Sequence, residues 1–249
     1  MKRIGIIGAM EEEVASFKEK MEIQEVRTIA GMEFCRGICE NQPVIIVRSG
    51  IGKVNAAVCT QILCDVFQAE VIINTGVAGS LKNAINIGDI VLSVDALQHD
   101  MDATGFGYEP GVIPRMETSV FKADDALVDL AERVCREVNP DIQVFRGRVV
   151  SGDQFVSDHV VKERLIRLFG GYCTEMEGAS IAQAAWLNGI PFIVIRAISD
   201  KADGSAEMDY SEFEMKAIEH TVRLVTGMLR NMLTFREISE KYVKCARPI

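Results

Sequence analysis

No apolar run in this chain approaches the roughly 18 residues needed to cross a bilayer, so a membrane-spanning reading is excluded. Met1-Lys2-Arg3 and the apolar residues after it begin like a signal peptide, but Glu11-Glu12-Glu13 ends the stretch too soon. A first buried strand is the better reading, and a soluble, unexported, cytoplasmic protein is expected. Basic charge is also scarce. With 27 Lys and Arg against 36 Asp and Glu, the net charge is −9, opposite to the footprint of a protein that grips phosphates. Nucleic acid and anionic membranes are therefore excluded as partners. Seven cysteines include no CxxC pair, and their odd number argues against a disulfide framework. The three histidines, His99, His159 and His220, are too scattered for a zinc signature. No GxGxxG precedes a helix, which leaves a dinucleotide site without support. Neither a metal nor an organic cofactor is expected, and His99 alone stays open as a catalytic histidine. Without a Pro/Ser-rich linker, repeat or low-complexity tract, residues 1–249 are expected to form one domain. Residues 234–249 carry no motif and read as a helical extension with a frayed end.

What is present is a core. Hydrophobic residues make up 48% of 249 positions, enough for a well-buried interior. Runs rich in Ile and Val at 4–9, 43–47, 71–73, 90–94, 144–150 and 192–198 fit strands buried on both faces. They alternate with helical spacing at 11–21, 54–67, 123–138, 160–169, 176–187 and 211–233. The pattern predicts an α/β fold, a three-layer α/β/α arrangement around a mixed, mainly parallel central sheet. The mixed character comes from residues 25–40, whose β-type composition and Gly31 turn predict an antiparallel excursion. Residues 98–116, with Gly105, Gly107, Gly111, Pro110 and Pro114, read as a long loop of the kind that often carries function.

Polar residues at strand ends supply the chemistry. In an open α/β sheet the ligand crevice lies beyond the carboxyl ends of the strands. The triplet Glu11-Glu12-Glu13 and the pair Ser199-Asp200 each follow an apolar run. Consecutive helix positions diverge, so at most one of the three glutamates reaches such a crevice, and residue chemistry does not choose which. An acid in either place is more often a first-turn residue or a helix cap. Arg196, inside an apolar run, is costly to bury unpaired and is expected to meet a carboxylate or serve the site. Gly50-Ile51-Gly52-Lys53 offers backbone N–H groups to a polar ligand, or else is only a tight strand-to-helix turn. It is not a phosphate-binding P-loop, since Val54 stands where Ser or Thr is needed. Asn74 to Ser80 reads as a small-residue loop that a ligand approaches closely. Phe155, after Ser151-Gly152-Asp153, offers a planar ring to stack on, although packing is the commoner role. Glu177, ahead of a small-residue helix start, would be kept ionised by the helix dipole and could accept two hydrogen bonds from a vicinal diol.

Together, Gly5 to Glu13, Ser49 to Val54, Ile73 to Gly76, Ser151 to Asp153, Glu175-Met176-Glu177 and Arg196 to Asp200 closely resemble the 5′-methylthioadenosine/S-adenosylhomocysteine nucleosidases, in order and with family-like spacing. The resemblance implies a nucleoside phosphorylase-like fold and hydrolysis of an adenine nucleoside by water. It assigns Glu13 to activating the water, Asp200 to protonating adenine N7, and Glu177 to the ribose hydroxyls, with Met176 against the sugar. Phe155 and the backbone of Val156 would hold the purine. Met10, Ile51, Ala78, Gly79, Ser199 and Tyr210 would line the same pocket. A homodimer is implied as well, in which Ala103, Phe106, Tyr108 and Pro114 of one subunit complete the other's 5′ pocket. Val77, Ser80 and Ala103 depart from the commoner family pattern, and these positions touch binding more than catalysis. Three rivals remain in view: a phosphorylase of the same fold, an aminodeoxyfutalosine hydrolase, and a nucleoside-binding protein without turnover.

Overall fold

The computed structural model describes residues 2–245, and the side chains of residue 211 and of 233–245 are not among the described ones. Its first half runs β1 (Ile4–Gly8), α1 (Glu11–Lys20), β2 (Glu22–Ile29), β3 (Met32–Cys39), β4 (Gln42–Arg48), α2 (Lys53–Asp65), β5 (Val71–Ser80) and β6 (Ile90–Gln98). A single 3₁₀ turn (Thr104–Phe106) follows, then β7 (Phe121–Lys122), α3 (Asp125–Val138), β8 (Val144–Ser151), α4 (His159–Phe169), β9 (Cys173–Glu175), α5 (Gly178–Leu187), β10 (Phe192–Asp200) and α6 (Ala206–Cys245). The helical reading of the tail thus holds to Cys245, and the expected frayed end falls on residues 246–249, outside the described residues.

The strands form one mixed sheet ordered β10-β6-β8-β9-β5-β1-β4-β3-β2, with β10 also paired to β5. That extra pairing closes β5, β10, β6, β8 and β9 into a ring, from which β1, β4, β3 and β2 extend as a wing. Every residue of β1, β5 and β10 is buried, as parallel strands covered on both faces must be. The β2–β3 hairpin is the predicted antiparallel excursion, turned by Ala30 and Gly31 at φ 51° and 75°, the left-handed pair that suits a two-residue hairpin. β2 is the exposed edge, and its Glu22, Glu25 and Arg27 discourage further strand pairing. All six cysteines with described side chains are buried and free. No helix among the described residues is long and apolar enough to cross a membrane.

Two expectations are corrected. Residues 74–80 are not a loop but the second half of β5, laddered to β10 from Asn74 to Gly79. Small polar residues are tolerated there because neighbouring side chains fill the space their own would take. Likewise, Ser199 and Asp200 do not follow β10 but end it, and the short strands β7 and β9 lie outside every apolar run noted above.

Candidate active site

Glu13 sits in the first turn of α1, immediately after β1, and is 4% exposed. Its Oε2 accepts the N–H groups of Ala9 (2.6 Å) and Met10 (3.1 Å), and its Oε1 accepts that of Val77 (3.2 Å). Glu13 is thus the one acid of its triplet turned inward, while Glu11 and Glu12 remain exposed. Burial pushes its carboxyl above the usual range, against the opposing pull of Arg196 and the three N–H groups. Three donors leave a lone pair on Oε1 free for a further hydrogen.

Asp200 ends β10 and is 2% exposed. Its Oδ2 accepts from Ser199 Oγ (2.9 Å) and its Oδ1 from the N–H of Ala202 (2.7 Å). Ala202 holds φ 50°, a left-handed conformation that costs an alanine roughly 1–2 kcal/mol and here turns its N–H toward the carboxylate. Burial raises Asp200 as well, and Asp209 and Asp203 add to the effect while the two hydrogen bonds oppose it.

Glu177 caps α5 and reaches across to α2, where Gly52 at φ 96° donates its N–H to Oε1 (2.8 Å). Burial, with the nearby charge of Glu175, pushes it up to about 8, which corrects the expectation that the helix dipole keeps it ionised: desolvation outweighs the dipole here. The next N–H, that of Lys53, goes to Asp153 Oδ1 at 2.8 Å. The N–H groups at the start of α2 are therefore taken by the protein's own carboxylates. Lys53 Nζ completes a brace to Gln98 (3.0 Å) and Asp100 (2.6 Å) at the end of β6.

Beneath these acids lies a buried network in which only Arg196 was anticipated from the sequence. Arg196 Nε donates to Glu175 Oε2 (3.2 Å), Nη2 to the same oxygen and to Asn74 Oδ1 (2.6 Å), and Nη1 to the Ile195 carbonyl (3.1 Å). Glu175 also accepts from Ser151 Oγ and from the N–H groups of Glu177 (3.1 Å) and Gly178 (2.8 Å). Burial alone would raise Glu175, but Arg196, Ser151 and the backbone donors together hold it below the usual range. The available signal was polar residues inside apolar runs, which in a two-sided core must find each other.

β5 is the element these groups share. A Cβ on Gly76 would lie 2.5 Å from Glu13 Oε1 and 3.2 Å from Arg196 Nη1, and one on Gly79 would lie 2.7 Å from Asp200 Oδ1. Glycine is needed at both positions for close approach, not for turning. Gly76→Ala is expected to displace the Glu13 carboxylate and lower stability by roughly 1–3 kcal/mol, the usual cost of overpacking. Denaturant unfolding read beside adenine release would show it, and a variant matching wild type in both would mean that Glu13 tolerates the shift.

Of the remaining expected site residues, Ala78, Gly79, Ser199 and Val156 are buried, Met10 and Met176 are half-buried, and Ile51 is exposed. Tyr210 Oη donates to Glu214 and sits 3.4 Å from Met10 Sδ, and its ring meets Phe155 edge-on at 5.9 Å. Met10, Tyr210 and Phe155 thus meet one another. Phe155 engages another aromatic from the protein itself while leaving 44% of its surface exposed. Ala103, Phe106, Tyr108 and Pro114 lie on the long segment after β6, where Ala103 is buried, Tyr108 and Pro114 are half-buried and Phe106 is 88% exposed. No hydrogen bond joins these four to Glu13, Asp200 or Glu177 among the described residues. His99 is buried with Nε2 unpartnered against Gly152, and burial lowers its pKa, so it is neutral. No group of three or more His, Cys, Asp or Glu among the described residues is placed to hold a metal ion.

Comparison with known proteins shows the family. Residues 3–230 match the model of the Phosphorylase superfamily. A 5′-methylthioadenosine/S-adenosylhomocysteine nucleosidase of Bacillus cereus is 41% identical over 234 residues, covering 92% of this chain and 99% of that protein. Among solved structures, the nucleosidase of the same name from Colwellia psychrerythraea, in complex with adenine, superposes with TM-score 0.88 at 38% identity, covering 92% of this chain and 94% of that one. The futalosine hydrolase of Helicobacter pylori superposes with TM-score 0.88 at 33% identity, covering 93% and 98%. With its fold and nearly its whole length shared with these proteins, the chain belongs to the Phosphorylase superfamily and, within it, to the 5′-methylthioadenosine/S-adenosylhomocysteine nucleosidases.

Proposed function

We propose that the protein hydrolyses the N-glycosidic bond of 5′-methylthioadenosine and S-adenosylhomocysteine, and of 5′-deoxyadenosine, releasing adenine. The observation that carries this reading is a pair of buried carboxylates touching one strand at two points. Glu13 meets β5 at Gly76 and Val77, and Asp200 meets it at Gly79. Val77 to Gly79 is about 6–7 Å of strand, which leaves space for a sugar carbon and an attacking water between two acids.

Cleavage builds positive charge on the sugar and sends the electrons of the C1′–N9 bond into the purine, a poor leaving group as an anion. Asp200, raised by burial, starts protonated and gives its proton to N7 of adenine, so the base leaves neutral. Glu13 takes the proton of water as the oxygen bonds to C1′, through the lone pair that Ala9, Met10 and Val77 leave open. Glu177 accepts the ribose hydroxyls, with Met176 against the sugar. Phe155 and Val156 hold the purine, and Met10, Ile51, Ala78, Gly79, Ser199 and Tyr210 line the pocket.

The chain acts as one domain, in the cytoplasm, and as a homodimer. Supporting the dimer, Ile51 (54% exposed), Val54 (74%) and Val58 (40%) stand at helical spacing along the start of α2, forming an apolar stripe. Phe106 would meet the partner's 5′ pocket there with Ala103, Tyr108 and Pro114. Water is favoured over phosphate as nucleophile because Arg196, the cation facing Glu13, is already committed to Glu175 and Asn74. A phosphate dianion would then meet the Glu13 carboxylate with Arg196 already engaged elsewhere. Adenine release in phosphate-free buffer is the test, and we expect a rate unchanged by added phosphate; a strict phosphate requirement would overturn the reading. The structural likeness to a futalosine hydrolase supports a second reading, an aminodeoxyfutalosine hydrolase with the same carboxylates. Comparing kcat/KM across 5′-substituted adenosines decides between the two.

A further inference from the structure

Lys162 is a buried charge that the proposed mechanism does not use. It stands on α4, where the buried face is otherwise Leu165 and Phe169, the spacing of an ordinary core stripe. Leu165 belongs to the smaller apolar cluster, which also holds Val156 and Ala202. A hydrophobic residue would suit the first place of that stripe, and an ammonium there is costly to desolvate unless something holds it. What holds it is one peptide group. Lys162 Nζ donates to the Lys201 carbonyl at 2.6 Å and lies 3.4 Å from Asp203 Oδ2. The N–H of that same peptide group, carried by Ala202, donates to Asp200 Oδ1 at 2.7 Å. A trans peptide group is planar, with its C=O and N–H pointing in opposite directions, so a grip on the carbonyl also aims the N–H.

The grip matters because the turn is strained. Ala202 holds φ 50°, and a flip of the 201–202 peptide plane would return it to negative φ, where an alanine is at ease. The same flip would take the N–H away from Asp200. Other contacts tie the turn down without touching this peptide group. Lys201 Nζ donates to the Ile85 carbonyl, and Asp203 Oδ1 accepts the N–H (3.1 Å) and hydroxyl (2.9 Å) of Ser205 just ahead of α6. We infer that Lys162 is a positioning residue for the proposed general acid: by holding the Lys201 carbonyl it keeps the Ala202 N–H on Asp200 and so fixes how that carboxyl faces the departing base. The inference rests on the hydrolytic reading above, in which Asp200 protonates adenine. Lys162 acts through Asp200 alone.

The test is adenine release from methylthioadenosine by wild type, Lys162→Met, Lys162→Arg, Asp200→Asn and the double variant of Lys162→Met with Asp200→Asn. Methionine keeps the apolar stem and removes the donor, whereas arginine keeps a donor for the carbonyl. Lys162→Met is expected to lose roughly 10- to 100-fold in kcat, the scale of a misplaced catalytic group, with KM changed less than about 2-fold. Lys162→Arg should recover most of that loss. In the Asp200→Asn background the loss should vanish, since no acid remains to be positioned; a merely structural lysine would cost the same in both backgrounds. An equal loss in both, no loss in Lys162→Met, or an arginine variant no better than the methionine one would overturn the proposal. Should Lys162→Met fail to fold, Lys162→Gln, a shorter side chain without the charge, is measured in its place against the same outcomes. If wild type releases no adenine, the hydrolytic reading fails instead, and amide hydrogen exchange decides the grip by itself. The Ala202 N–H should then exchange at least about 10-fold faster in Lys162→Met than in wild type or Lys162→Arg, and equal protection in all three would overturn it.

Discussion

Asp200→Asn is expected to lower kcat for adenine release by roughly 10²–10⁴-fold, the range attributed to a lost general acid, while methylthioadenosine still binds. The substitution is nearly silent for the fold. Asn Oδ1 can keep the Ala202 N–H, and the new amide N–H₂ faces Ser199 Oγ, a hydroxyl that can turn and accept in place of donating. Only the ionisable proton is gone. The pH profile carries the same information. In the proposed mechanism Asp200 works protonated, so activity is expected to fall as pH rises through its pKa; Glu13 works ionised, so activity is expected to fall as pH drops through its own. Burial raises both groups, so both limbs lie above the ordinary carboxylate range. In Asp200→Asn the residual rate should retain the acid limb and lose the alkaline one. Near-normal turnover in this variant would remove Asp200 from the leaving-group role.

Arg196→Met should show its largest effect in stability. Methionine nearly matches the aliphatic length of arginine, so packing is largely kept, but Glu175 would be left 7% exposed with no cation. Breaking a buried pair by removing one partner costs roughly 3–5 kcal/mol, which at about 2–4 °C per kcal/mol for a chain of this size lowers Tm by roughly 10 °C or more. Glu13 and Glu177 would lose the same field, since Arg196 opposes the upward push of burial on each. The acid limb of the activity profile should therefore move to higher pH. Adding Glu175→Gln should recover part of the stability, because the orphaned charge is then gone. A single variant melting within about 2 °C of wild type would mean that Glu175 simply takes up a proton and needs no partner.

The core strands were legible because β1, β8 and β10 are apolar along most of their length and bounded by polar or turn residues. The second half of β5 was not, since Asn74-Thr75-Gly76-Val77-Ala78-Gly79-Ser80 has the composition of a loop. Nothing local says that a glutamate from α1 and an aspartate from β10 will occupy the volume its glycines leave empty. β7 and β9 were missed for a related reason: at two and three residues they exist only through the longer strands they pair with. In the site, an inward place for Glu13 followed from the resemblance alone, since three consecutive glutamates are chemically identical. Arg196 betrayed itself by standing charged inside an apolar run, whereas Glu175 stood next to the singled-out Glu177 and gave no separate sign. The brace from Lys53 to Gln98 and Asp100 joins positions some 45 residues apart, a distance over which sequence periodicity carries no information.

One strand acts as a ruler for the reaction. Because Glu13 and Asp200 each lie against a residue of β5, at Val77 and Gly79, the placing of acid and base leans on a laddered strand of the sheet, not on how two loops happen to settle. Such a spacing needs no reorganisation at each turnover. It also survives changes elsewhere. The segment proposed to face the 5′ substituent, the long stretch after β6, is carried on another part of the sheet and can be rewritten without disturbing the pair. New substrate preferences can then arise by drift in the periphery while the bond-breaking centre is inherited unchanged.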